Sequence, residues 1–323
     1  MKLIRPIFID DDSLVASDVP ENDYAAYAVG TTYATGDKVL VLATHKIYES
    51  LTDGNIGNDP TTDTANWLDI GYDNRWRMFD GSVSTATTQA ASMEVNLQVP
   101  FYVDSIALLN VYGEKITVKV ALLDVTEPFY TATEGQFKTA DDEDFYVQTP
   151  PIYFNVIPID LIQSINSYEI DTQKRDFVLT GLTDLYDPGE SNLAILITIE
   201  NSQVDGDVSC GMCVLGIAQD LGLMGWAPRI GIIDYSKKTV DDFGNPTILE
   251  RNYSKRLSAE LWIDNLSIDR IVRLLAQYRA TPVVWFGTDA FDSTIIYGWY
   301  RDFEAIIESP AGSRCSLEIE GMI

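Results

Sequence analysis

The sequence predicts a mainly β, multi-domain protein: a small β module, a larger jelly-roll-like β-sandwich, and a C-terminal β-sandwich carrying one packed α-helix. Three observations lead there. Short runs rich in β-branched and aromatic residues recur along most of the 323 residues, separated by turn residues. Only one segment has helical periodicity. The length exceeds what one ordinary domain usually holds, while 46% hydrophobic and 22% charged residues fit a globular chain.

Taken in order, residues 1–23 form an N-terminal arm or strand, with Asp10-Asp11-Asp12 following a short apolar start. Residues 24–70 are aromatic and rich in Gly, Asp and Thr, too short for a large core, and close on Trp67-Leu68-Asp69-Ile70. Residues 71–225 hold strand-like runs at 99–111 and 115–125 around Tyr112-Gly113-Glu114, then 151–158, 176–180, 193–200 and 208–218. Asp187-Pro188-Gly189 and Asp205-Gly206-Asp207 are turn signals between them. Many short strands with almost no helical period imply a sandwich or jelly roll.

After the glycine-rich stretch Gly216 to Gly225, residues 226–323 form the C-terminal unit. Strands are predicted at 257–263, 282–287, 294–301, 303–308 and 314–320. Between them Ile268, Ile271, Val272, Leu275 and Tyr278 fall at helical spacing, with Arg270, Arg273 and Arg279 on other faces. Ser267 is the predicted N-cap and Pro282 the stop.

Charge divides the chain. Residues 1–225 hold 11 basic and 35 acidic residues, net −24, and residues 226–323 hold 11 and 14, net −3, within a total of −27. The acidic part is expected to be solvated, and the nearly neutral part to pack against other subunits, where self-repulsion is costly. A balance this acidic argues against nucleic acid and against an anionic membrane surface as partners. No apolar run reaches about 18 residues, so no membrane span is expected. The first residues do not read as a signal peptide, and three cysteines make a disulfide framework unexpected, which fits production in a reducing cytosol.

Catalytic chemistry has little to build on. His45 is the one histidine, so a Ser-His-Asp triad, a two-His metalloprotease site or a Cys-His zinc site would each need it. No Walker loop, Rossmann fingerprint or nucleophile elbow is present. Cys210 and Cys213 have C-x-x-C spacing, but in a strand-like run, where small buried residues are the plainer reading. Asp10-Asp11-Asp12 and Asp141-Asp142-Glu143-Asp144 lack the glycine-punctuated alternation of an EF-hand loop and read as solvated loops. No cofactor and no metal is expected, and the chain reads as non-enzymatic.

Two resemblances sharpen this reading. Tyr33-Ala34-Thr35-Gly36-Asp37-Lys38-Val39, Lys46-Ile47-Tyr48-Glu49-Ser50, Thr52-Asp53-Gly54, Asp59-Pro60 and Trp67 follow a recognisable order. In that order residues 24–70 resemble the small carbohydrate-binding modules of chitinases, the type 5/12 chitin-binding fold. The resemblance implies glycan contacts through Tyr33, Tyr48 and Trp67. Family members usually carry an exposed tryptophan pair after the segment matching Tyr48-Glu49-Ser50, where this chain has Leu51 alone before Thr52. Without that pair, stacking of about 1–3 kcal/mol per ring is missing, and the plainer reading is that the three rings form the module's little core.

The second resemblance rests on Ser254-Lys255-Arg256-Leu257-Ser258-Ala259-Glu260-Leu261-Trp262, the helix at 268–279, Pro282-Val283-Val284-Trp285, and Cys315-Ser316-Leu317-Glu318-Ile319-Glu320-Gly321. Residues 226–323 look like the β-sandwich-plus-helix fold of tube and distal tail proteins of tailed bacteriophages. Trp76-Arg77-Met78-Phe79-Asp80-Gly81 and Val103 to Leu109 look like the opening of a galactose-binding-type jelly roll. Together these imply a virion structural protein of a tail tip or baseplate, made in the bacterial host cytoplasm. It would be a homo-oligomer, trimer or hexamer, among other tail and baseplate proteins. Its interface is expected at Trp262, Ile271, Leu275, Tyr278 and Trp285, with outward modules touching host-surface polysaccharide. A stand-alone glycan-binding protein is the alternative and a glycoside hydrolase a distant third.

Overall fold

The computed structural model describes residues 1–100, 102–123, 154–155, 167–169, 175–180, 193–201, 206–240, 245–288, 291–309 and 312–322. The chain is mainly β, arranged in several antiparallel sheets with one α-helix among the described residues.

Two sheets face each other in the middle of the chain. The first runs Phe154–Asn155, Lys115–Leu123, Leu193–Glu200, Ser92–Val99, Leu14–Ser17, with Ser167–Glu169 also on Lys115–Leu123. The second runs Phe177–Thr180, Ser105–Tyr112, Asp207–Gly216, Thr87–Ala90. Alternation places Met93, Val95, Leu97 and Val99 inward, opposite Leu193, Ile195, Ile197 and Ile199 on the paired strand. Ile106, Leu108, Val208 and Cys213 meet them from the second sheet.

The second sheet is covered on both faces. Ala107, Leu109, Met212 and Val214 point away from the sandwich core and pack on Ile4, Val284, Ile295 and Tyr297. This double burial explains the unbroken apolar runs at 106–109 and 212–215. The alternation slips at Asn110, which has φ +52° and lies beside Gly211. Ile106 and Leu108 face the sandwich core before it, and Val111 does so after it. A Cβ on Gly211 would stand 2.9 Å from both Asn110 Cβ and Val83 O, so glycine is required for that close approach.

The C-terminal sheet is one continuous eight-stranded array in the order Ala218–Asp220, Lys2–Ile4, Val283–Phe286, Ile295–Ser309, Gly312–Gly321, Tyr253–Ile263, Leu223–Met224, with Arg229–Asp234 also on Tyr253–Ile263. It therefore recruits strands from outside 226–323, including the first residues of the chain. The helix α1, Ile268–Gln277, buries Ile271 and Leu275 on this sheet beside Leu257, Leu261, Trp285 and Leu317. Ser267 makes no side-chain cap; the preceding 3₁₀ turn is capped by Asp264, whose side chain accepts from Leu266 N. The runs predicted at 294–301 and 303–308 are one strand, Ile295–Ser309, with register shifts at Tyr300/Asp302 and Ile306/Ser309. The run at 99–111 divides instead, because Pro100 cannot donate to a ladder, into Ser92–Val99 and Ser105–Tyr112 of opposite sheets. Most of the predicted run 151–158, the acidic cluster 141–144 and the turn 187–189 lie outside the described residues.

The small module is a three-stranded sheet, Lys38–Val41, Lys46–Ser50 and Trp67–Tyr72. Its core is Tyr33, Val39, Tyr48 and Trp67 with Tyr27 and Val41 against them.

Candidate assembly surface

The three rings that the resemblance would put on a glycan are inside. Tyr33, Tyr48 and Trp67 are 9%, 6% and 2% exposed. Trp67 stands edge-on to Tyr33 with centroids 5.2 Å apart, and its Nε1 donates to Asn58 O at 3.1 Å. A ring closed in on both faces cannot stack on a sugar, so their role is the module's core. The cause is size: three strands bury enough apolar surface only by turning their largest rings inward.

Four of the five residues expected at an oligomer interface are likewise committed to their own subunit. Ile271, Leu275, Tyr278 and Trp285 belong to one buried cluster between α1 and the eight-stranded sheet. Trp285 Nε1 donates to Gly298 O at 3.0 Å. Trp262 alone remains on the surface, its ring lying against Gly312, where a Cβ would come within 2.6 Å of it.

The apolar surface that is left uncovered lies elsewhere. Arg229–Asp234 pairs along one edge with the first half of Tyr253–Ile263, and Lys237–Val240 pairs with Pro246–Leu249 as a hairpin. Ile230, Ile232, Ile248, Leu249 and Tyr253 are all exposed there, and Ile232 and Ile248 are 68% and 64% exposed. Trp226, at the entry to this arm, is fully exposed, as are most of Leu223 and Leu266. β-branched residues account for the strands; among the described residues no further layer covers them. Polar bonds hold the arm's bend. Asp234 accepts from Ser236 N at 2.8 Å and pairs with Lys238 Nζ at 2.9 Å, and hydrogen bonding from the Ser236 side chain, then from Lys238 and the Ser236 N–H, holds its carboxyl well below the usual carboxylate range. Over residues 229–253 four basic residues meet four acidic ones, net 0, so the remainder of the chain carries the whole −27.

A cavity of about 490 Å³ sits where the second sandwich sheet meets the C-terminal sheet, lined by Asn110, Arg175, Asp176, Lys255, Asp292 and Tyr297 among others. Its polar groups serve one another. Lys255 Nζ pairs with Asp176 and donates to Asp292 O at 3.2 Å; Asp176 Oδ1 accepts from Asn110 N at 2.7 Å; Asp292 Oδ2 accepts from Arg175 N at 3.3 Å. This is a cross-linked seam between two sheets.

Cys210, Cys213 and Cys315 are free and buried. Burial pushes the Cys210 thiol up to about 12 and raises the other two, so none is a ready thiolate at neutral pH. Among the described residues no group of three or more His, Cys, Asp or Glu side chains is arranged to hold a metal ion. No helix among them is long and apolar enough to cross a membrane. Composition and charge had singled out the C-terminal unit, but which of its apolar residues stay outside could not be read from periodicity, since the exposed strands are as β-branched as the buried ones. No family model matches the sequence, and no curated protein and no solved structure matches it.

Proposed function

We propose that the protein is a non-enzymatic structural component that assembles with further copies of itself through the arm at 229–253, in a phage tail tip or baseplate. The observation that carries this reading is the arm: strands whose isoleucines face solvent, joined to a well-packed sheet. Exposed apolar strands with a free edge are pairing surfaces and aggregation hazards unless a partner covers them. The occupant is a second copy, because an arm of net charge 0 on a chain whose remainder carries −27 is the part of the surface where two copies meet without self-repulsion. The tail assignment is supported by the resemblance of the order of strands and helix in residues 226–323 to that of tail tube and distal tail proteins. Contact of the acidic modules with a host-surface glycan remains part of this reading. Weak single contacts would be amplified by copy number, and with Tyr33, Tyr48 and Trp67 buried they fall to other surface residues.

The native mass of the full chain tests it. A trimer or hexamer that falls to a monomer in the double variant Ile232→Asp, Ile248→Asp supports assembly through the arm. A wild-type monomer at every concentration up to the solubility limit, together with failure to enter particles, refutes it.

A further inference from the structure

His45 occupies an unusual place. It ends the turn between Lys38–Val41 and Lys46–Ser50, with its N–H on Leu42 O at 3.4 Å and φ at +55°. A left-handed backbone costs a residue with a Cβ about 1–2 kcal/mol, and such strain often marks a site where the side chain is needed. Here the imidazole lies flat on Trp76, with ring centroids 4.0 Å apart and planes 21° from parallel. Trp76 belongs to the sandwich core. The turn of the small module is thus laid on the sandwich through one stacked pair.

Both ring nitrogens of His45 meet carboxylates of the N-terminal segment. Nδ1 is 2.7 Å from Glu21 Oε1 and Nε2 is 3.0 Å from Asp11 Oδ1. An ionised carboxylate only accepts, and a neutral imidazole has a single N–H, so both contacts are hydrogen bonds only when the ring is an imidazolium. Asp73 lies alongside, 0% exposed, its N–H on His45 O at 2.9 Å. Neither of its carboxyl oxygens, nor the Nε1 of Trp76, has a hydrogen-bond partner among the described residues.

The remaining charges nearby are few. Arg75 donates to Val19 O at 2.6 Å and stands 3.8 Å from Glu21 Oε2; Arg77 pairs with Asp23 at 3.1 Å. Four carboxylates, Asp11, Glu21, Asp23 and Asp73, therefore share two guanidiniums and one imidazole. The set is electrically neutral when His45 is an imidazolium and Asp73 is a carboxylic acid, and it carries two excess negative charges when both have lost their protons.

We propose that this junction is a proton-operated clasp: protonated His45 and Asp73 hold the small module against the sandwich, and loss of the two protons releases it. Burial, then repulsion from Glu21 and Asp23, pushes the Asp73 carboxyl up to about 7, which places its half of the clasp near neutrality. The clasp closes on acidification and opens as the pH rises. It does not depend on the assembly reading, since none of its residues lies in the arm.

With a single histidine, the test is clean. In full-length protein labelled with ¹⁵N, long-range ¹H–¹⁵N spectra read both nitrogens of His45 from about pH 5 to 8, while amide relaxation compares residues 24–72 with the sandwich strands. Expected are two protonated nitrogens with a module tumbling as one body with the sandwich at the acid end, and at the alkaline end a neutral ring with faster independent motion of the module. Asp73→Asn should move the release to higher pH. His45→Asn, which tolerates the left-handed backbone, should leave the module loose throughout. A neutral, single-tautomer His45 in a docked module at pH 5, or module motion unchanged across the range, overturns the proposal. The wild-type spectra decide it even if a variant does not fold.

Discussion

At the scale of single residues, two side chains define how tightly the sandwich is specified. Gly211 admits the left-handed Asn110, and the pair lets the strand change which face its apolar residues present. Gly211→Ala puts a methyl 2.9 Å from Asn110 Cβ and Val83 O. It is expected to cost about 1–3 kcal/mol, read as a lower chemical-denaturation midpoint. Asp73 sets a pH dependence of opposite sense to the common paired carboxylate. Its folded-state acidity is weakened, up to about 7 from 3.8. Its contribution is therefore fully present below about pH 4 and is lost as the pH climbs through 7. Between pH 5 and 8 the wild type should lose roughly 2–3 kcal/mol more than Asp73→Asn, at 1.36 kcal/mol per pKa unit. Equal slopes for the two proteins in denaturant titrations at both pH values would dismiss that role. Nothing in the sequence marked His45 or Asp73 as a pair. They lie 28 positions apart, on a turn and at a strand's exit, and only the fold of the small module closes that distance.

At the scale of elements, the helix and the arm make opposite predictions. The helix pattern Ile271, Leu275, Tyr278 is a core stripe. Leu275→Ala should cost about 2–5 kcal/mol of stability and leave the native mass unchanged under conditions where the protein stays folded. Ile232 and Ile248 are mostly exposed, so Ile232→Asp with Ile248→Asp should change the stability by no more than about 0.5 kcal/mol while lowering the native mass. Calorimetry and light scattering on the same samples separate the two. The helix was legible because a 3.6-residue period survives in the sequence whatever it packs on. Its partner was not: periodicity gives the apolar face and says nothing of whether that face meets its own sheet or another subunit.

At the scale of the whole molecule, the chain's first strand, Lys2–Ile4, lies between Ala218–Asp220 and Val283–Phe286. Leu3 and Ile4 are fully buried on opposite faces, one towards α1 and one towards the sandwich. Removal of residues 1–5 should therefore destabilise the C-terminal sheet, although it leaves 226–323 intact. Loss of protection from hydrogen exchange in Val283–Phe286 would register it. The charge asymmetry belongs at this scale too. The arm at 229–253 carries no net charge, so an assembly built on its apolar strands should hold as salt rises past the range where surface charges are screened, about 0.15 M. Sedimentation at low and high salt measures this, and an assembly constant that falls steeply with salt would place the contact on charged surface rather than on the arm.

By itself the sequence determined the β character, the helix at 268–277, strand runs that match Lys115–Leu123, Leu193–Glu200 and Val283–Phe286, and the division of charge. These are local properties, carried by side-chain period and composition. Only the tertiary structure decided that the second sandwich sheet is buried on both faces and that the chain's opening residues complete a sheet built near its end. It also turned Tyr33, Tyr48 and Trp67 inward, and left Ile232 and Ile248 outside. Each of those depends on which surfaces meet, and a residue's period along its own strand is the same whether its neighbour is core, solvent or another chain.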